Sequence, residues 1–403
     1  MKLHELQNNF ARLERRVNEI RHSSTADYSE VSAQYHPRHG EKNFLLPVFS
    51  VPTSELRVYK ASPSLKARAL AGLGVDTVPF FCHPDSVSDF QGEHFKAPTS
   101  YLEAEPTSST RTVLLTSEPA LMVKTHLNKR ISHFVRRLRG NSVRHSIQIS
   151  KECERMSRDP GCPETFAYLP ESIGVVHTLS DLGYLIREST PRPLCHEERI
   201  LVPFFSLYSK DPEHLGDAPI LSQLITHSRL QPLSFFERHI LNPFMETWAY
   251  AFLERGLLFE SHGQNTLLEL DTAFNVRRIV QRDFQSVPID PVIREREGLT
   301  TPFAKHVIGT GDYPRLIEHS LQYDRFVGHC LLRAFAGFFE TYYQIPPEET
   351  YRLIRRVFRR HIPKEIEREF FPQGHMTLGE KSAGDNVYPL VYLPEHPLCR
   401  PGY

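Results

Sequence analysis

The chain is expected to adopt an α+β fold with a helical carboxy-terminal lobe, and three observations predict it. A long apolar stretch (Phe244, Trp248, Phe252, Leu257, Leu258) closes into Phe259-Glu260-Ser261-His262-Gly263-Gln264-Asn265. Thr266 to Leu270 then reads as a strand, Asp271 to Asn275 as a turn and Val276 to Gln281 as a returning strand, ahead of Arg282-Asp283-Phe284-Gln285. Beyond Pro288 the chain becomes helical again, most clearly in the apolar run Phe326 to Tyr343. Two oxygen-bearing clusters therefore sit at neighbouring ends of one hairpin. Such an arrangement suits Mg2+, which takes hard oxygen ligands and shares them with substrate phosphates.

Composition sets the outer bounds. With 403 residues there is enough chain for two or three lobes. The formal net charge is zero, so no global field draws the protein to nucleic acid or an anionic membrane. No apolar run approaches the roughly 18–20 residues that span a bilayer, and the charged segment Met1 to Ile20 is no signal peptide. The six cysteines (82, 153, 162, 195, 330, 399) form no CxxC pair, which fits reduced thiols in a cytoplasmic protein. Abundant proline and 21 histidines point to a loop-rich enzyme, and no internal repeat is visible.

Taken in order, Leu3, Leu6, Phe10, Leu13, Val17 and Ile20 recur at threes and fours, predicting an amphipathic helix over residues 2–22. Its apolar stripe can pack on its own domain or form a short dimer seam, so a homodimer is one expectation. Next, His36-Pro37-Arg38-His39-Gly40-Glu41-Lys42 reads as a surface turn, although two histidines and a lysine so close can line a phosphate pocket. Leu45 to Val51 is a predicted strand, Ser64 to Leu73 a short helix, and Val78 to Pro84 a buried strand that delivers His83 to its end. Ser108 to Thr112 leads into a strand at Val113, with another at Leu121 to Lys124.

Ile131, Phe134, Val135 and Leu138 predict the buried face of a helix whose open face carries Arg136, Arg137 and Arg139. Arg111, Lys124 and Arg136 can then surround a triphosphate, or be a solvated basic helix beside unrelated strands. Residues 150–200 read as mixed structure with loops, and Leu201 to Phe205 as a strand. A helix from about Leu233, interrupted near Pro243, runs to Arg255. Pro346 starts a helix carrying Arg352, Arg355, Arg356, Arg359 and Arg360, which reads as a solvated face more than a nucleic-acid surface. Lys381 to Pro397 reads as an extended tail.

The helix–loop–hairpin order around Glu260 and Asp283 is similar to the catalytic loop and metal-binding Asp-Phe-Gly of kinases. A kinase needs an acid near Gln264 to serve as base, and an amide cannot do so. More of the chain, roughly residues 75–290, resembles the IucA/IucC-type family, the siderophore synthetases that work without non-ribosomal peptide synthetases. Its Glu-x-His-x-Gln-Asn signature is matched by Glu260, His262, Gln264 and Asn265, and its following Arg-Asp by Arg282 and Asp283. Its Ser-x-Arg-Thr resembles Ser109-Thr110-Arg111-Thr112. Its lysine strand and Thr-Ser-x-x-Arg resemble Lys124 and Ser132-His133-Phe134-Val135-Arg136. The family's two histidine motifs resemble His36-Pro37-x-His39 and His83-Pro84, with Lys42 one position early and the Trp-Gln after His83-Pro84 lost.

The resemblance implies a hand-like fold with a kinase-like palm, and an AMP-forming ligase that uses ATP and Mg2+ to join a carboxylate, often citrate, to an amine or hydroxyl. Carried over by position, Ser109, Arg111, Lys124, Ser132, His39 and Gln264 would bind ATP. Arg136 and His262 would be catalytic, Glu260, Asn265 and Asp283 would hold the metal, and His133 and Lys381 would face substrate. The expected organisation is a shortened amino-terminal region (1–110), a catalytic core (111–290) and a helical thumb-like lobe (291–403). Its partners would be small molecules, with no nucleic acid and no membrane. Two other readings stand beside it: a kinase-like small-molecule phosphotransferase and a nucleotide-binding pseudoenzyme. Clustered Glu260, His262, Asn265, Asp283 and Arg136 speak against the latter.

Overall fold

The computed structural model describes residues 1–18, 27–91, 95–131, 134–303, 305–311 and 313–370, and two short paired strands at 375–378 and 390–393. Two sheets and a helical lobe make up the fold. The larger sheet contains β1 (Phe44–Pro52), β2 (Leu56–Lys60), β3 (Thr77–Phe81), β4 (Ser100–Pro106), β5 (Thr112–Leu115), β6 (Leu121–Lys124), β10 (Glu171–His177) and β11 (Gly183–Glu188). Its order is β2-β10-β11-β6-β5-β4-β1-β3, antiparallel throughout. The sheet curls, so that the Tyr184 hydroxyl on β11 donates to the Pro79 carbonyl on edge strand β3 at 2.8 Å. Residue 110 falls in the turn between β4 and β5 of this one sheet.

The smaller sheet runs β12 (Ile200–Pro203), β13 (Thr266–Leu270), β14 (Val276–Gln281), β9 (Phe166–Tyr168), with β9 parallel to β14. Leu114 and Met122 of the first sheet pack against Ala167, Leu169, Leu267 and Val280 around the second. That apolar seam brings the ends of β6, β11 and β14 to one place. Helix Gly140–Met156 lies on β10, and Gly174 permits it, since a Cβ there would sit 2.4 Å from a Val143 methyl.

The helical lobe packs on the other face of the small sheet. Its main core joins Phe236, Trp248 and Phe252 to Phe335, Phe339, Ile354 and Phe358, with Leu6 and Leu13 from the amino-terminal segment. Helix Pro232–Phe236 passes through a π-helical turn, Glu237–Leu241, before helix Asn242–Arg255. The turn sits where the interruption is expected, because Pro243 has no N–H to continue an α-helical ladder. Gly256, at φ +61°, ends that helix and frees the chain to turn toward Phe259. The apolar run near 326–343 is a π-helical segment, Tyr323–Leu332, continued by helix Arg333–Tyr343.

Two expectations are corrected. Among the described residues the expected helix at Ile131 to Leu138 is absent: β7 (Arg130–Ile131) pairs with β8 (Phe134–Val135), and Phe134 and Val135 are exposed. Ile131 is buried against Tyr28, Val31 and Leu127, so tertiary contact overrides a spacing that fits a helical period. The described part of the amino-terminal stripe is broken into a 3-10 helix (Leu3–Asn8) and an α-helix (Phe10–Arg15), and residues 19–22 of the expected helix lie outside the described residues. Asn9 sits at the break, its side-chain amide donating to the Glu5 carbonyl in place of a continuing ladder. Residues 150–200 are mixed as expected, with loops at Pro160-Gly161 and Pro191-Pro193 and two fully buried strands, β10 and β11, between them.

Candidate active site

Lys124 ends β6 and is 1% exposed; Asp283 follows β14 in the left-handed region, at φ +67°. The Lys124 ammonium donates to Asp283 Oδ1 at 2.5 Å. Arg187 on β11 approaches Asp283 Oδ2 at 3.7 Å and binds Glu171, its neighbour on β10, at 2.6 Å. Burial alone would raise the Asp283 pKa. Lys124, Arg187 and Arg111 outweigh it and hold the carboxyl well below the usual range. Burial in turn pulls Lys124 below the ordinary lysine value despite Asp283 and Glu171. Two anions and two cations thus neutralise one another inside the seam between the sheets, where unpaired charge is costly.

The loop after helix Asn242–Arg255 carries Glu260, His262, Gln264 and Asn265. It is tightly wound: the amides of Asn265 and Thr266 both donate to the His262 carbonyl at 3.0 Å. Glu260 is half-buried, and its pKa is pushed up to about 7 by burial and then by the nearby Asp283 charge, against Arg325, Lys124 and Arg136. Among the described residues neither the Glu260 carboxylate nor the Asn265 side chain makes a hydrogen bond. The buried His262 ring lies 5.7 Å from that of Phe326, on the π-helical segment. The Gln264 side-chain amide donates to Ser108 Oγ at 2.8 Å.

Arg136 follows the β7–β8 hairpin and is half-buried, whereas Arg137 and Arg139 are exposed. Its guanidinium donates to the Ile131 carbonyl at 3.4 Å, and it lies within electrostatic reach of Tyr28, Asp283 and Glu260. Arg111 is held differently from the expectation of a phosphate ligand. Its guanidinium donates to the Arg136 carbonyl and to Gln285 Oε1, both at 2.8 Å, and so braces the chain that carries Arg136. Ser109 is also engaged locally: its hydroxyl accepts from the Thr112 amide at 3.1 Å. The turn it belongs to includes buried Thr110 at φ +64°, a strained conformation for a β-branched residue.

The structure therefore gathers Lys124, Arg136, Glu260 and Asp283 within electrostatic reach, with Arg111, His262, Gln264 and Asn265 around them. His39 stands apart. It is exposed and stacked on His36 at 4.9 Å, and His36 in turn meets Tyr28. Ser132, His133 and Lys381 lie outside the described residues. Among the described residues no three His, Cys, Asp or Glu side chains form a metal cage.

Sequence reasoning missed Glu171, Arg187, Glu14, Ser108 and Arg325. Glu171 and Arg187 had a readable signal, since they are opposite charges on strands of otherwise mostly apolar residues and face each other across a hairpin. Glu14 and Arg325 carried none, because both sit in helical segments rich in ordinary surface charge.

Family models match two segments: the IucA / IucC family over residues 91–209, and the ferric iron reductase FhuF-like transporter over residues 238–369. No curated protein matches the chain by sequence. Among solved structures, aerobactin synthetase IucC from a hypervirulent pathotype of Klebsiella pneumoniae has a similar fold. It aligns with a TM-score of 0.69 at 14% identity, over 86% of this chain and 68% of that one. The petrobactin biosynthesis protein AsbB from Bacillus anthracis aligns with a TM-score of 0.67 at 16% identity, over 90% of this chain and 73% of that one. ATP-bound aerobactin synthetase IucA from the same Klebsiella pathotype aligns at 0.64 and 14% identity, over 91% and 72%. The chain therefore carries an IucA / IucC family segment over residues 91–209, which includes Lys124, Arg136 and Arg187, and it shares the fold of these synthetases across both sheets and the helical lobe.

Proposed function

We propose that the protein is an AMP-forming ligase that adenylates a small carboxylate with ATP and then condenses it with an amine or hydroxyl, in siderophore or related small-metabolite synthesis. The observation that carries this reading is the site's charge arrangement. Half-buried Arg136 lies within electrostatic reach of Glu260 and Asp283, while Lys124 is fixed on Asp283, and the position where a kinase keeps its base holds Gln264. A substrate carboxylate is already an anion near neutral pH and needs no base to attack phosphorus. It needs cations where negative charges approach, which Arg136 and Lys124 supply. An ATP-bound synthetase with the same fold supports the nucleotide.

The donor set fits Mg2+. Glu260 and Asn265 have side-chain oxygens without hydrogen bonds among the described residues, and Glu260 is destabilised by the like charge of Asp283, which a cation would relieve. Glu260, Asn265 and Asp283 would hold the ion, which would neutralise phosphate charge. The palm-like arrangement of a strand lysine on an aspartate after a hairpin is the part of the reading shared with kinases. One observation favours phosphoryl transfer as a second reading: Glu260, with a pKa of about 7, can take a proton from a hydroxyl.

Product analysis separates them. With ATP, Mg2+ and a panel of di- and tricarboxylates and polyamines, the ligase releases AMP and pyrophosphate. Substrate-dependent ADP without AMP overturns this reading in favour of the second.

A further inference from the structure

A closed, buried circuit ties the amino-terminal helix to the loop that carries Gln264 and Asn265. Arg282 donates through Nε and Nη2 to the Gln264 carbonyl at 2.9 and 2.7 Å, and its backbone amide donates to the Asn265 carbonyl at 3.0 Å. The same guanidinium is paired with Glu14 of the amino-terminal helix at 2.7 Å. Glu14 accepts from Ser108 Oγ at 3.2 Å, and Ser108 Oγ accepts from the Gln264 side chain at 2.8 Å, which closes the ring. Glu14 and Ser108 are each 1% exposed, and Arg282 is 5% exposed.

We propose that Glu14 and Ser108 are positioning residues, which fix the Gln264–Asn265 peptide through Arg282 and so set the orientation in which the loop meets nucleotide and metal. Three features support this beyond a simple buried ion pair. Gln264 is held at both its side chain and its backbone carbonyl, so its role is to transmit position. Glu14 is the only anion paired with the Arg282 guanidinium among the described residues, which makes the amino-terminal helix a working part of the site. The next residue, Arg15, points the other way and clasps the Pro37, Glu41 and Lys42 carbonyls at 2.9, 2.8 and 3.1 Å. One helical turn therefore pins the candidate loop and the His36–Lys42 turn together.

The nucleotide arm of the test rests on the proposed function; the exchange arm does not. Full-length Ser108→Ala and Glu14→Gln are compared with Gln7→Ala, a control on the same segment that loses only an exposed contact to Glu198. Amide hydrogen exchange is followed over residues 259–268 and over β1, and Mg-ATP affinity is measured by calorimetry. Loss of one buried hydrogen bond predicts roughly 10-fold faster exchange at 262–266 and a roughly 10-fold weaker Kd in Ser108→Ala, with β1 and the Gln7→Ala control as in the wild type. Wild-type exchange at 262–266 in a folded Ser108→Ala overturns the proposal. So does an equal acceleration in β1, which marks general loosening. If Glu14→Gln fails to fold, Ser108→Ala decides alone, since it removes no charge. A wild-type protein that binds no Mg-ATP defeats the ligase reading while the exchange arm still tests the circuit.

Discussion

Two groups of arginines in this chain look alike in sequence and behave oppositely in the fold. Arg111, Arg187 and Arg282 are buried at the seam between the sheets, each spent on a carboxylate, a carbonyl or an amide oxygen. Arg352, Arg356, Arg359 and Arg360 lie on the exposed face of helix Pro347–His361, whose other face buries Leu353, Ile354, Val357 and Phe358. There Arg356 and Arg360 share Glu237 at 2.8 and 3.1 Å, in water. A guanidinium near solvent is cheap to hold and worth little. One in the seam must be answered by a specific oxygen, and that demand shapes the backbone around it.

The contrast is sharpest where a buried partner is removed. Arg187→Ala strands Glu171, which is 0% exposed, and loosens Asp283; a loss of about 3–5 kcal/mol in urea unfolding is expected. A loss below about 1 kcal/mol would place Arg187 with the solvated arginines.

Acid should act on the interior in the same way. His83, His126 and His145 are buried, and burial holds each near a pKa of about 4, against 6.5 for a free imidazole. For His126 the nearby Asp89 only partly offsets that cost. Between these two values the unfolded chain binds the protons and the native one does not. Stability is therefore complete above pH 6.5 and falls as pH drops toward 4, by up to about 3 kcal/mol for each histidine. Thermal melts across that range check this, and a flat Tm from pH 7 to 4.5 would contradict it.

Beside the seam, Arg136 and Arg137 are neighbours in sequence with different surroundings, the first half-buried and the second exposed. Arg136→Lys keeps the charge but loses the planar fork, and turnover should fall at least ~10-fold, since a charge-assisted bond is worth ~1.5–3 kcal/mol. Arg137→Lys, which disturbs only an exposed contact to Asn128, should stay within about twofold. Equal losses would mean a diffuse basic surface.

The smallest effect belongs to the outer helix. Arg356→Ala should cost less than about 1 kcal/mol and leave turnover unchanged. Tight, salt-sensitive nucleic-acid binding that this substitution weakens would make the helix a binding face after all.

Much of the fold was legible wherever period and burial agree. The β13–β14 hairpin, β1, β5, β6 and the helices at 65–70, 242–255 and 347–361 follow from alternation or a 3.6-residue stripe, and all are present. The reading failed at 134–139, because Ile131, Phe134, Val135 and Leu138 satisfy a helical spacing while only Ile131 and Leu138 find a core. In the candidate site, Glu260, His262, Asn265, Asp283, Lys124 and Arg136 could be listed from their types and order. Glu171 and Arg187 could have been added as opposite charges that pair across a hairpin of largely apolar strands.

What the amino-acid sequence determined by itself was local. It specified which segments bury one face, where Pro243 and Gly256 interrupt or end a helix, and that acids and amides cluster on either side of one hairpin. Tertiary structure alone decided how each charge is used. Lys124 and Asp283 are 159 residues apart and meet at 2.5 Å only because β6 and β14 end at the same seam. Glu14 reaches Arg282 only because the amino-terminal helix packs beside it. Hydrophobic periodicity is written within a few turns of chain, whereas an ion pair depends on which elements happen to stack. The energetic worth of each arginine is set by the water that stacking removes.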